Sequence, residues 1–324
     1  MNETVLIIAS VLGATLRIAV PLVLCALAGA FSERAGIIDI GLEGKMLAAA
    51  FTAACLGAIG WPAPAALLAA MAVATALALV HAFACITHRG DQIVSSVALN
   101  IIVAGLTAVL GLVWFHRGGQ TPGVPDAGRF TALFPTAAAA AESWPFIGPL
   151  LADGVLRHDA LVWLAAALVP ASWWLMYRTR FGLRLRAVGE NPAMVDAAGI
   201  SVTWLRYRAV MLAGALCGIA GTYLTLAQNA SFSPNMTAGR GFMALAAMVF
   251  GQWHPARAGV ACLLFGFLDA VAIRLQGVHL PGLGAVPVEL IQALPYVFTV
   301  VLLAGFFGRA EAPAALGRPY SKGR

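Results

Sequence analysis

Long apolar runs separated by short polar stretches make up most of the chain. At ~20 apolar residues per bilayer crossing, they predict spans at Val5–Phe31, Ile37–Gly60, Ala65–Ile86, Ile93–Phe115, Ala160–Tyr177, Tyr207–Ala227, Gly239–Gly251, Ala258–Leu275 and Val288–Phe307. The expectation is an all-α, polytopic transmembrane helix bundle of about nine spans (eight to ten) in a single transmembrane domain over residues 1–324. The seventh run, Gly239–Gly251, is too short for an upright span and is bounded by glycine. Arg17 lies near the middle of the first run, where it either faces the bundle interior or marks the opening residues as interfacial. Two stretches do not span: His116–Asp159, with five prolines, and the arginine-rich Arg178–Arg206.

Composition agrees with the pattern. The 324 residues are 61% hydrophobic and 10% charged, against about 25% charged in a soluble domain. The net charge of +6 is informative through its placement. Six arginines against Glu190 and Asp196 leave Arg178–Arg208 at +4, and the tail from Gly308 carries +3, while His116–Asp159 carries −1. Basic loops stay cytoplasmic, so the N-terminus is expected outside the membrane and the C-terminal tail inside. Arg240 and Arg274 fall on the other side, near span ends from which they could snorkel. Arginines placed in loops between spans exclude a nucleic-acid reading. The first run lacks a basic lead and a cleavage motif, so it reads as a retained span rather than a removed signal peptide. All five cysteines fall within apolar runs and read as packing residues.

The most polar stretch beside a span is Phe31–Lys45. It holds Glu33, Asp39 and Glu43, Arg34 and Lys45, and glycines at 36, 41 and 44. Charge near hydrocarbon is costly and is usually kept for function. The glycines suit a broken helix, which a membrane tolerates only against protein or water. An ordinary cytoplasmic turn is the alternative. A faint internal echo links Trp61-Pro62-Ala63-Pro64 with Trp253-His254-Pro255-Ala256, each after a glycine-containing run, as an inverted repeat with interrupted helices would give. Gly41–Met46 superficially resembles a phosphate loop, but Asp39 and Met46 stand where that loop needs glycine and serine or threonine. No nucleophile or metal motif is present and the six histidines are scattered, so neither catalysis nor a cofactor is expected. Transport energy must come from another subunit or from an ion gradient.

Polar residues inside apolar runs are candidates for a translocation path: Glu43, then Gln92, Ser95, Ser96 and Asn100 in the fourth span, and Gln292 in the ninth. For each, a hydrogen bond between helices is the alternative. In the basic stretch, Asn191 can cap a short helix with Pro192 at its first position, and Gly199 can end it.

Ser32–Gly44 resembles the signature of one permease family of ATP-driven (ABC) importers, which carries ribose and other simple sugars, branched-chain amino acids and nucleosides. Val94–Asn100, Gly189–Pro192, Ala197–Ile200 and Gly239–Gly251 are similar to the same family, with the nucleoside branch nearest. Asp39 departs from it, since asparagine is more usual there, and the long outer loop and both termini add little. The resemblance implies a permease subunit that forms the path for a nucleoside, a purine-like solute or a simple sugar. It further implies a separate ABC ATPase, a second and different permease chain completing a heterodimer, and an external solute-binding protein. Gly189, Glu190, Asn191, Pro192, Asp196, Ala197, Ala198, Gly199 and Ile200 would form the segment that couples to the ATPase. The rival reading is a secondary transporter of a small polar solute driven by an ion gradient.

Overall fold

The computed structural model describes residues 3–142, 144, 147–275, 279–280, 284–285, 293, 297 and 311–321. Gln292 and all but two residues of the expected span Val288–Phe307 therefore lie outside the described residues.

The other eight apolar runs are helices. They are α1 (Glu3–Arg34), α2 (Leu42–Ala58), α3 (Ala63–Ala82, prolonged by a π turn over Phe83–Thr87) and α4 (Gln92–Phe115). The outer stretch contributes the short α5 (Pro135–Glu142) and α6 (Ile147–Leu151), followed by α7 (Ala160–Arg178). Next come α8 (Arg180–Glu190), α9 (Pro192–Ala197), α10 (Val202–Thr222, with a π turn over Tyr223–Asn229), α11 (Arg240–Phe250) and α12 (Pro255–Leu275). Among the described residues six helices are long and apolar enough to cross a membrane, and a two-residue antiparallel pair, β1 (His279–Leu280) with β2 (Gly284–Ala285), forms the sheet content. At ~1.5 Å per residue, the 17 residues of α2 and the 11 of α11 reach ~25 and ~16 Å, short of a ~30 Å hydrocarbon layer.

The helices form two triplets, α1–α2–α3 and α10–α11–α12, that exchange partners. α1 packs along α12 while α10 packs along α3, and α1 supports α11 as α10 supports α2. Matching helices run in opposite directions: α1 ends where α10 begins, since Arg206 near the start of α10 bonds the Ala35 carbonyl just past α1. Trp61 and Trp253 occupy the equivalent turns, α2 to α3 and α11 to α12. The weak sequence echo thus marks an inverted repeat.

Small residues make this exchange possible. Lipid is as apolar as leucine, so close packing and polar contacts hold membrane helices together. On α3 the buried stripe is Ala63, Ala66, Ala70, Ala74, Ala78 and Ala82, whereas Leu68, Val80 and Phe83 face outward. It receives Gly214 and Gly218 of α10; a Cβ on Gly214 would lie 2.7 Å from Thr75, and one on Gly218 would run into the Met71 backbone.

Of the two readings left open for Arg17, the interior one is not met: the side chain is exposed. Two features differ from the sequence expectations. Arg178–Arg206 is helical almost throughout, and α10 begins early enough to bury Arg206, read from sequence as a loop charge. The stretch 116–159 is tied down: Thr121, Val124 and Phe130 donate backbone hydrogen bonds to the carbonyls of Phe232, Ala230 and Leu226, strapping it across the far end of α10.

Gly218→Leu should force α10 off α3. Overpacking costs about 1–3 kcal/mol, so the melting temperature of the detergent-solubilised protein should fall by several degrees. Gly105→Leu on α4, where nothing lies within 4 Å of the added carbon, should not lower it. Equal effects at both positions would refute the role given to close packing.

Candidate functional site

The chain leaves helical geometry for residues 35–41, between α1 and α2, and the bundle supplies what the lost helix would have supplied. Gly36, at φ +84°, turns the chain inward. Ser32 Oγ donates to the Ile37 carbonyl at 2.9 Å. Gln92 Oε1 accepts from Ile38 N at 2.7 Å, and His81 Nε2 meets the Ile38 carbonyl at 3.0 Å. A carbonyl accepts only, so His81 carries its proton on Nε2, leaving Nδ1 to accept from Ser95 Oγ at 3.0 Å. Asn100 closes the far end, donating to the Ile40 carbonyl at 3.1 Å and accepting from Gly44 N at 2.8 Å. Gln92, Ser96 and Asn100 are four apart on α4 and so share one face. The structure therefore brings the path candidates of the fourth span together around the break. Gln92, Ser95 and Asn100 brace it, directly or through His81, while Ser96 Oγ is buried without a hydrogen-bond partner.

Each charged residue of the signature stretch has its own task. Glu33 accepts from the Trp253 indole at 2.6 Å, and Arg34 bonds the Gln252 carbonyl at 3.0 Å, so both hold the α11–α12 turn. Asp39 and Lys45 form a fully enclosed ion pair. Asp39, unusual by resemblance, thus has a cation to face.

Glu43 joins the repeats. Its carboxylate accepts from Gly239 N at 2.8 Å and from Gly241 N at 2.6 Å, the first amides of α11. The first turn of α2 therefore caps the N-terminus of α11, and two half-length helices meet start to start. Both ends carry partial positive charge, which the carboxylate offsets. Gly241 permits the approach, because a Cβ there would come within 2.8 Å of the Glu43 backbone. The junction lies ~16 Å along α11 from the turn that Arg34 fastens. Arg240, half-buried, is the first residue of α11 at this junction.

The basic end of the bundle carries the second constellation. Asn191 Oδ1 accepts from Met194 N at 3.2 Å, Pro192 opens α9, and Gly199 at φ +76° closes it as Ile200 N bonds the Val195 carbonyl at 3.2 Å. Val195 points inward against Val188, Val202 and Leu205. Ala193, Met194, Ala197 and Ala198 are exposed. Gly189 is buried against the Arg34 carbonyl, and Glu190 accepts from Ala314 N at 3.3 Å, so these two face the bundle and the tail. A cleft of ≈ 460 Å³ borders α9, lined by Asp196, Ser201 and Tyr320, and one of ≈ 370 Å³ lies at the end of α8, lined by Glu190, His254 and Arg257.

Sequence reasoning passed over His81, whose signal was a histidine inside an apolar run. Lys45 and Asp39 stood in the same singled-out stretch but were not paired, and Arg206 was counted only as a loop charge, its backbone partners having no local signal.

Residues 11–305 match the profile of a family described as branched-chain amino acid transport system / permease component. The chain is similar to the guanosine ABC transporter permease protein NupQ of Bacillus subtilis, 38% identical over 99% of this chain and 99% of the relative. It is 35% identical to the nucleoside ABC transporter permease protein NupC of Lactococcus lactis, over 94% of each chain. Similarity to the glucose ABC transporter permease protein TsgB13 of Haloferax volcanii is 29% identity, over 93% of this chain and 78% of the relative.

Breaking a buried pair by removing one partner costs about 3–5 kcal/mol, because a charge is left uncompensated. Lys45→Met should therefore sharply lower both membrane accumulation and unfolding temperature, and adding Asp39→Asn should restore most of the loss. A double variant as unstable as the single one would show that the pair is not the cause.

Proposed function

We propose a solute, a path and a set of partners from the premise that this chain belongs to the family of branched-chain amino acid transport system permease components. It is the membrane-spanning permease subunit of an ATP-driven importer, not an enzyme, and ATP is hydrolysed by a partner subunit. The solute is a nucleoside or purine-like compound, supported by the guanosine and nucleoside permeases among its relatives. A simple sugar is the second reading, favoured by the glucose permease.

The path runs past the junction of α2 with α11. The observation that carries this is Glu43 on the first amides of α11, because interrupted helices of an inverted repeat meet where transporters of this construction hold their solute. Glu43 borders the path, Gln92, Ser95, Ser96 and Asn100 hold its wall, and Gln292 belongs to the same set. Residues 1–324 act as one transmembrane domain, paired with a second, different permease chain and fed by an external solute-binding protein. Closure of the ATPases presses on Asn191–Ile200, whose exposed small residues suit a groove, while Gly189 and Glu190 pass the push to the bundle. The bundle then turns from inward- to outward-facing.

Charge placement supports an inner membrane with the N-terminus outside and the basic end inside. A cysteine introduced at Ala137 should react with an impermeant reagent from outside and one at Ser201 should not; four of the five native cysteines are buried, so the background is low. The opposite pattern would invert the orientation.

Vesicles reconstituted with the ATPase and binding protein should take up a purine nucleoside in preference to glucose; preference for glucose would move the assignment to the sugar reading. In the same vesicles Ala198→Trp should abolish ATPase co-purification, or leave hydrolysis running without uptake. Normal assembly with normal coupled uptake would remove the coupling role from α9.

A further inference from the structure

The described part of the C-terminal tail, residues 311–321, lies against two functional segments at once. On one side it holds the coupling region: Ala315 N donates to the Gly189 carbonyl at 2.8 Å, Ala314 N donates to Glu190 at 3.3 Å, and Tyr320 packs on the Val188–Val195–Val202–Leu205 cluster with its hydroxyl against Asp196. On the other side it holds the break between α1 and α2. Gly317 N donates to the Gly36 carbonyl at 3.1 Å, and a Cβ on Gly317 would meet the Ile38 side chain at 2.8 Å.

Arg206 of α10, 1% exposed, locks the three together. Its Nε donates to the Ala35 carbonyl at 3.1 Å and a terminal nitrogen donates to the Arg318 carbonyl at 3.2 Å. Among the described residues no carboxylate pairs with it. Its charge faces the Ala35 carbonyl just past the C-terminal end of α1, where the helix dipole is negative, and the Arg318 carbonyl of the tail. A buried cation bonded to two backbone segments fixes their separation in a way that exposed side chains do not.

We propose that residues 311–320 are a strap that carries movement of the α8–α9 coupling segment to the break at residues 35–41, with Arg206 as its positioning residue. The inference rests on the coupling role given above to Asn191–Ile200. The strap adds a second connection to the direct contact of Gly189 with the Arg34 carbonyl. Through Ala315 and Gly317 the end of α8 reaches Gly36 across a single turn of tail.

Two variants test it in vesicles containing the whole transporter, with assembly, ATP hydrolysis and uptake measured together. Arg206→Met keeps bulk and removes both donors. Gly317→Val strains a tail residue at φ +74° and leaves the spanning helices untouched. Each should assemble with the ATPase and hydrolyse ATP, while solute carried per ATP falls by about fivefold or more, the lower end of coupling between two sites. Arg206→Lys, which keeps the charge and one donor, should recover part of the ratio. A tail with a purely structural role would lower the amount of assembled protein but leave the ratio unchanged. Wild-type stoichiometry in Gly317→Val overturns the strap, as does failure of that variant to accumulate; if Arg206→Met does not reach the membrane, Gly317→Val decides alone. Should Ala198→Trp also couple normally, the reading of α9 has failed. If Ala198→Trp uncouples and Gly317→Val does not, the strap alone has failed.

Discussion

The ends of α1 and α2 satisfy only the amides of Ala35, Gly36 and Ile37 and the carbonyl of Gly41 in the break at residues 35–41, and lipid offers no water for the rest. An unsatisfied backbone group at that depth costs several kcal/mol, so the break exists only where the bundle provides partners. They come from every side: His81 on α3, Gln92 and Asn100 on α4, Arg206 on α10 and Gly317 in the tail. The arrangement of helices around α1 and α2 is in this sense fitted to a seven-residue interruption.

The same constraint explains how charge is distributed. Two half-helices meeting start to start place two partial positive ends together, and Glu43 answers both while joining the repeats. A favourable, partly buried charge at a helix end contributes up to ~2 kcal/mol, too little by itself to offset burial of a carboxylate. The two direct amide hydrogen bonds are therefore as necessary as the dipole. The Asp39–Lys45 pair follows a related logic. Buried pairs seldom add net stability over apolar replacements, and this one, inside the break and the first turn of α2, fixes how the chain re-enters the helix.

Close packing and coupling depend on each other. Gly214 and Gly218 bring α10 onto the alanine stripe of α3, while at its start α10 holds Arg206 against the break. The displacement of α8 and α9 proposed above would be received by a helix with little freedom to bend away. Interiors packed at contact distance shift between discrete arrangements more readily than they deform, which suits the change of access proposed for the path.

The sequence alone determined what is encoded locally. Length of apolar run marks which segments are helices, and eight of the nine expected spans coincide with helices, although α2 and α11 are shorter than the hydrocarbon layer. The cap at Asn191, the proline after it and the glycine at 199 are neighbours in the chain, so the short α9 was legible to within a residue or two. The charged, glycine-bearing stretch at 31–45 announced a break for the same reason. Only the tertiary structure decided which groups satisfy that break. Glu43 and the two backbone amides that donate to it are 196 and 198 positions apart, and Arg206 lies 171 positions from the carbonyl it holds. No local pattern marks such pairs. A polar side chain in an apolar run announces that a partner exists, but which backbone group it meets depends on the approach of two helices, here set by glycines and alanines whose spacing carries no record of the polar contacts they permit.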